Sequence, residues 1–159
     1  MILSDKGIEH AINTDRIGCE PQPTEEQIQP ASLDVRLSNE VYHFDEDKTV
    51  KSFQHRLQPG KRYLGDTEEV IDLPKDIAAS IAGRSTIGRM GVIVHKTAGW
   101  VDPGFTGSLT LELMNLGNEP VDLKAGMRVA QLVFFQLYQP SSGYDGSYQG
   151  QTTPTKAQQ

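Results

Sequence analysis

Two arginines, a short run of hydroxyls and two carboxylates are the residues here whose types and spacing could do chemistry. Gly83-Arg84-Ser85-Thr86-Ile87-Gly88-Arg89 sets two guanidinium groups around two hydroxyls, directly after an apolar stretch. Backbone N–H groups at such a turn or helix start can cradle phosphate oxygens, while Arg84 and Arg89 donate charge-assisted hydrogen bonds. The same residues also suit an ordinary polar turn, and the local sequence leaves both readings open. Glu112 lies in Ser108-Leu109-Thr110-Leu111-Glu112-Leu113-Met114. As a strand, this puts the three leucines on one face and Ser108, Thr110, Glu112 and Met114 on the other. Facing water, Glu112 would be a routine surface glutamate; lining a cleft beside Thr110, it could serve as a general base. Asp102 heads the turn Asp102-Pro103-Gly104. Paired with Glu112 it would give two carboxylates at one site.

Several chemistries are excluded. The phosphate-loop-like run lacks the Lys-Ser/Thr ending of a Walker sequence, which argues against a Walker-type NTPase. Zinc deaminases hold their metal with a Cys-x-x-Cys pair plus a His or Cys, and Cys19 is the only cysteine. His10, His43, His55 and His95 show no metal-ligand spacing, so structural or surface roles are expected. The net charge of −6 argues against duplex nucleic acid as partner, since that affinity comes largely from neutralised phosphates. The acidity is uneven. Residues 1–76 hold nine Lys/Arg against sixteen Asp/Glu, whereas residues 77–159 hold six against five. A small anionic ligand in the C-terminal half therefore stays open. No apolar run approaches the ~20 residues of a membrane span, Met1-Ile2-Leu3-Ser4-Asp5 has no signal-peptide pattern, and a cytoplasmic protein is expected.

The elements that must position these residues are short. Ser4 can cap a helix whose Ile8, Ala11 and Ile12 share a face. Arg16 to Pro30, with Pro21, Pro23 and Pro30, suggests a loop. Strands are expected where Leu33, Val35 and Leu37 alternate with Asp34 and Arg36, and at 41–44, 63–64, 70–73, 77–82, 91–94, 109–114, 121–123 and 128–137. Pro59-Gly60, Leu73-Pro74 and Gly83 punctuate them. The length suits one domain. The class is mainly β, an antiparallel barrel or sandwich with helix at the start and after Gly83. Residues 1–138 make up that domain. From Gln139 to Gln159 the composition turns to Ser, Gly, Gln, Thr and Pro, and a flexible C-terminal tail is expected.

Taken together, several segments closely resemble the dCTP deaminase family of the dUTPase-like superfamily. They are Gly83–Arg89, His95-Lys96-Thr97-Ala98-Gly99-Trp100-Val101-Asp102-Pro103-Gly104, Leu111-Glu112 and Arg128-Val129-Ala130-Gln131-Leu132. Ile2-Leu3-Ser4-Asp5, Gln29–Leu37 and Tyr148-Gln149-Gly150-Gln151 fit the same pattern, so the resemblance spans nearly the whole chain. It implies a distorted β-barrel forming a homotrimer, with active sites between subunits and a nucleoside triphosphate bound with Mg2+ on its phosphates. By resemblance, Arg84, Ser85, Thr86, Ile87, Gly88 and Arg89 form the nucleotide-binding loop, with Ser85 and Arg89 near the reacting base. Ala98 lines the pocket, Asp102 contacts the deoxyribose, and Thr110, Leu111 and Glu112 read the pyrimidine. Glu112 corresponds to the catalytic glutamate, and Tyr144 and Gln151 to residues of the tail that closes over the active site.

The resemblance thus implies zinc-independent hydrolytic deamination of dCTP within pyrimidine deoxynucleotide metabolism. Glu112, Ser85, Arg89 and Asp102 are the expected catalytic group. In dUTPases the position of Glu112 is typically apolar, and the aspartate matching Asp102 activates water at the α-phosphate. Gly99 after Thr97-Ala98, together with Gln131, resembles the bifunctional members that convert dCTP to dUMP. Release of dUTP by deamination alone, dUTP hydrolysis alone and a non-catalytic nucleotide sensor are the alternatives, with dTTP as a candidate inhibitor. The chain departs from the family in Thr86 and Ile87 for the usual Ser-Leu, in a shorter stretch between Tyr144 and Tyr148, and in Ser147 for the usual tail lysine. Lys156 is the only later cation.

Overall fold

The computed structural model describes residues 1–158. Helix α1 (Asp5–Asn13) starts where expected: the Ser4 hydroxyl accepts from the Gly7 N–H at 3.4 Å, and Ile8, Ala11 and Ile12 are buried. The strands are β1 (Gly18–Glu20), β2 (Ile28–Gln29), β3 (Ser32–Arg36), β4 (Glu40–His43), β5 (Lys48–Lys51), β6 (Gln54–Leu57), β7 (Arg62–Asp72), β8 (Ile77–Gly83), β9 (Val92–Ile93), β10 (Trp100–Val101), β11 (Thr106–Asn115), β12 (Val121–Lys124) and β13 (Arg128–Gln136). A second helix, α2 (Ser85–Arg89), follows β8.

These strands form three antiparallel sheets. One has the order β5-β4-β7-β11-β9, with β1 also on β7; the second is β10-β8-β13-β3-β2; the third pairs β12 with β6. A single apolar core joins them, including Leu33 and Val35 of β3, Leu111 and Leu113 of β11, Ile71 of β7 and Phe134 of β13. The mainly-β class holds, but the sheets do not close into a barrel. Between β3 and β7 the backbone makes only the isolated bridge Leu37–Thr67. A side chain takes over that seam. The fully buried Glu69 accepts from the Arg36 N–H at 2.8 Å, from Arg36 Nε at 2.7 Å and from Gln27 Nε2 at 2.8 Å. Its two oxygens do there what a strand ladder would otherwise do.

Other expectations change as well. The two apolar runs at 63–64 and 70–73 are parts of one eleven-residue strand, β7. The proline-bearing loop from Arg16 carries β1 and β2, which add to sheet edges. The tail lies against the body. Ser141 N donates to Lys75 O at 2.7 Å, Tyr144 N to Pro103 O at 2.7 Å and Gly150 N to Thr106 O at 2.7 Å.

Candidate active site

Glu112 sits near the middle of β11, opposite Leu64 of β7. The leucine alternation works as expected: Leu111 and Leu113 are fully buried, and Glu112 is turned from the core. Its Oε2 accepts from the N–H of Lys96 at 2.7 Å and of Thr97 at 3.3 Å. These donors belong to the loop that runs from β9 to β10. Both bonds fall on one oxygen, which leaves Oε1 available to a ligand. The register between β11 and β7 slips between Ser108 and Thr110, and this bulge brings Leu109 beside Thr110 on the lining of one cavity.

That cavity measures about 850 Å3 and is lined by Ala98, Asp102, Thr110, Glu112, Tyr144 and Gln151, among others. Six residues expected from the resemblance thus meet in one place. The 95–99 loop reaches it because Gly99 presses against β8: Ile81 N donates to Gly99 O at 2.6 Å, and an added Cβ would lie 3.0 Å from the His95 ring. Asp102 stays exposed at the head of its turn.

The tail closes one side. Gln151 grips Ser108 from both directions, taking its N–H on the main-chain carbonyl at 2.9 Å and donating from Nε2 to its carbonyl at 2.8 Å. This contact needs Gly107, where a Cβ would lie 2.7 Å from Gln151 O. With Nε2 committed, Gln151 Oε1 remains a buried acceptor with no partner among the described residues. Buried acceptors are rarely left so, and Gln151 lines the cavity. A donor on a bound molecule would satisfy it. Tyr144 packs on Phe105 at 5.8 Å between ring centres, and its Oη accepts from Tyr148 N at 3.3 Å.

The helix residues stand elsewhere. None of Arg84, Ser85, Thr86, Ile87, Gly88, Arg89 or Gln131 lines the cavity. Ile87 is fully buried and pins α2 to the core, while Ser85, Thr86, Gly88 and Arg89 are exposed. Arg84 is anchored rather than free: its Nε lies 2.8 Å from Asp34 Oδ2, and its Nη1 donates to Arg128 O at 2.9 Å. Asp34, 1% exposed, also takes Arg128 Nη1 at 3.3 Å. Burial pushes the Asp34 carboxyl up, and the two guanidinium groups oppose that shift. Gln131 braces the same junction, accepting from Ser32 Oγ at 2.9 Å and donating to Gly83 O at 3.2 Å. Leu111 turns its side chain into the core, so only its backbone can face a ligand.

The lining also takes in Arg62, Lys96, Trp100 and Tyr148, none of which was expected as a site residue. The Arg62 guanidinium lies 4.0 Å from the ring centre of Phe44, also in the lining. Lys156 joins them. Its Nζ is 3.0 Å from Tyr42 Oη and 3.1 Å from Asp47 Oδ1, two contacts that hold the ammonium above its ordinary range. The cavity thus has two carboxylates and three cations around an apolar and aromatic lining.

Residues 2–137 match the family model described as dCTP deaminase-like. The chain belongs to that family. Curated relatives agree over nearly the full length. A protein from Beutenbergia cavernae named "dCTP deaminase, dUMP-forming" is 40% identical, with 98% of this chain and 93% of that protein covered. One of the same name from Dictyoglomus thermophilum is 41% identical over 89% of this chain and 83% of its own length. A protein from Natronomonas pharaonis named "dCTP deaminase" is 39% identical, covering 97% and 92%. Among solved structures, the 2'-deoxycytidine 5'-triphosphate deaminase from Agrobacterium tumefaciens is similar with a TM-score of 0.73 and 26% identity. The match takes in 84% of this chain and about half, 47%, of that one. The EIAV dUTPase, 18% identical with a TM-score of 0.59, covers 82% of this chain and 97% of its own and shares the fold.

Proposed function

We propose that this chain is a hydrolase that deaminates dCTP at C4 without zinc and releases diphosphate, giving dUMP. The observation that carries the reading is the meeting of Glu112 and Asp102 in one cavity, with Glu112 held by two loop amides through a single oxygen. Water adds its OH to C4 of cytosine as Glu112 takes the proton and passes it to the ring nitrogen. The same carboxylate then moves the C4 hydroxyl proton to the exocyclic nitrogen; C4=O forms, the C4–N bond breaks, and ammonia leaves. Gln151 Oε1 offers an acceptor for a substrate donor. Asp102, on the exposed rim, serves as base for water at the α-phosphorus, where the bond to the β-phosphate oxygen breaks and diphosphate departs.

Arg62, Lys96 and Lys156 lie where they could meet phosphates, and Lys156 would do what the family's tail lysine does, since Ser147 cannot. Residues 1–138 act as the domain and 139–159 as its closing strap. The groups on α2 do not reach the cavity of their own chain, so Ser85 and Arg89 would come from a neighbouring copy. This supports the homotrimer with shared sites. From there they hold the water and the developing charge.

Among the described residues no group of three His, Cys, Asp or Glu side chains is placed to hold a metal. A Mg2+ carried on triphosphate oxygens would offset phosphate charge, and Asp102, exposed on the cavity rim, is the acidic side chain that would assist it. Among the described residues no helix is long and apolar enough to cross a membrane. The compartment we propose, as a separate reading, is the cytoplasm. Glu112→Gln tests the assignment. It should abolish ammonia release while dCTP still binds; retained release overturns the role given to Glu112.

A further inference from the structure

Among the described residues, the first half of β11 has a strand partner on one side only: β7 runs along it, while β9 pairs with it at Met114 and Asn115 alone. The other edge, from Gly104 in the preceding turn to Ser108, is covered by the tail. Gly104 O accepts from Gln149 Nε2 at 2.8 Å, and Thr106 N donates to Gln149 Oε1 at 3.0 Å. Thr106 O accepts from Gly150 N at 2.7 Å. Ser108 N donates to Gln151 O at 2.9 Å, and Ser108 O accepts from Gln151 Nε2 at 2.8 Å.

An added strand would meet such an edge with its own peptide groups. Residues 149–151 cannot, because their backbone is folded into a turn. Gln149 N donates to Gly146 O at 3.2 Å and Gln151 N to Tyr148 O at 3.3 Å. Gly150 has a φ of +76°, outside the range of a strand. Backbone groups covered by the tail still need partners, and the two glutamine amides supply what the turned backbone withholds. Gln151 does so at Ser108 while lining the cavity; Gln149 is not part of the lining. Its amide bridges Phe105, with one end on Gly104 and the other on Thr106. From this geometry we infer that Gln149 is a positioning residue, whose side-chain amide sets the register of the tail on β11 and so delivers Gln151 to Ser108 at the cavity wall. The inference rests on the functional reading above only in taking that cavity as the place where dCTP binds.

The body side of this clamp is fixed. The Thr106 hydroxyl donates to Asp72 Oδ1 at 2.7 Å, and Gly104 N donates to Leu73 O at 3.1 Å. Gly104 O and Thr106 N then ask for one donor and one acceptor side by side. A carboxamide presents that pair; a carboxylate has no donor when ionised, and an ammonium has no acceptor.

Amide hydrogen exchange without nucleotide, read residue by residue by NMR, and the kinetics of ammonia release test this. Gln149→Leu keeps the bulk and loses both bonds. In it the Thr106 and Ser108 amides should exchange about tenfold faster, while those of Leu111 and Leu113 are unchanged. KM for dCTP should rise about tenfold with kcat held within about twofold, since Gln149 does not reach the reacting atoms. Gln149→Glu keeps the shape but sets a second acceptor against Gly104 O, and should behave like the leucine variant. Thr106 and Ser108 amides that stay protected in Gln149→Leu, a Gln149→Glu variant that behaves like wild type, or a fall in kcat with KM unchanged overturns the inference. The expected exchange pattern in a protein that leaves dCTP unchanged would instead overturn the proposed function alone.

Discussion

The split between the cavity and helix α2 makes a quantitative prediction about mixed oligomers. Glu112 lines the cavity of its own chain and Arg89 does not, so each working site should take Glu112 from one copy and Arg89 from the next. Glu112→Gln and Arg89→Ala should each be nearly inactive alone, down by at least about 10²-fold if Glu112 is the general base. Mixed in equal amounts under conditions that let subunits exchange, they should recover activity. A site is intact only when its cavity comes from the Arg89→Ala chain and its helix from the Glu112→Gln chain. Random assembly gives each condition half the time, so about a quarter of wild-type sites should work. The assay is ammonia release from dCTP before and after exchange. Ser85→Ala mixed with Arg89→Ala is the control, because both residues lie on one short helix and no mixed site can have both. A mixture of Glu112→Gln and Arg89→Ala that stays inactive, or rescue in the control pair, refutes the shared site.

Other substitutions separate the parts. Asp102→Asn should keep ammonia release and slow diphosphate release by at least about 10²-fold, so that chromatography shows dUTP accumulating. Gly107→Ala places a Cβ 2.7 Å from Gln151 O; it should unseat the tail and raise KM for dCTP about tenfold, a loss of ~1.4 kcal/mol in binding, with the melting temperature nearly unchanged. Asp34→Asn replaces the carboxylate that Arg84 and Arg128 share with a neutral amide oxygen. With both partly exposed, it should cost about 2–3 kcal/mol in urea unfolding.

Much of the site was legible because its signals are local. Three leucines alternating in β11 put Glu112 on the face away from the core, and Asp102-Pro103-Gly104 marked a turn. The resemblance joined those residues with Tyr144 and Gln151, which the fold does bring to one cavity. What stayed hidden depends on distant partners. Arg84 looked like a free phosphate ligand; Asp34, fifty positions earlier, holds it beside Arg128. Strand β5 is polar and mostly exposed, and β6 alternates but buries a histidine, His55, beside Leu57, so no apolar alternation announced either. The tail's composition suggested flexibility, yet its docking runs largely through backbone and glutamine amides, which composition does not register. Barrel closure failed at a seam where one glutamate, Glu69, replaces a ladder.

The central claim is the conversion of dCTP to dUMP by this chain, and product analysis tests it most directly. Pure protein incubated with dCTP and Mg2+, with nucleotides then separated and ammonia and diphosphate measured, should yield dUMP, ammonia and diphosphate in equal amounts. Unchanged dCTP, or dUTP building up in place of dUMP, would contradict the account.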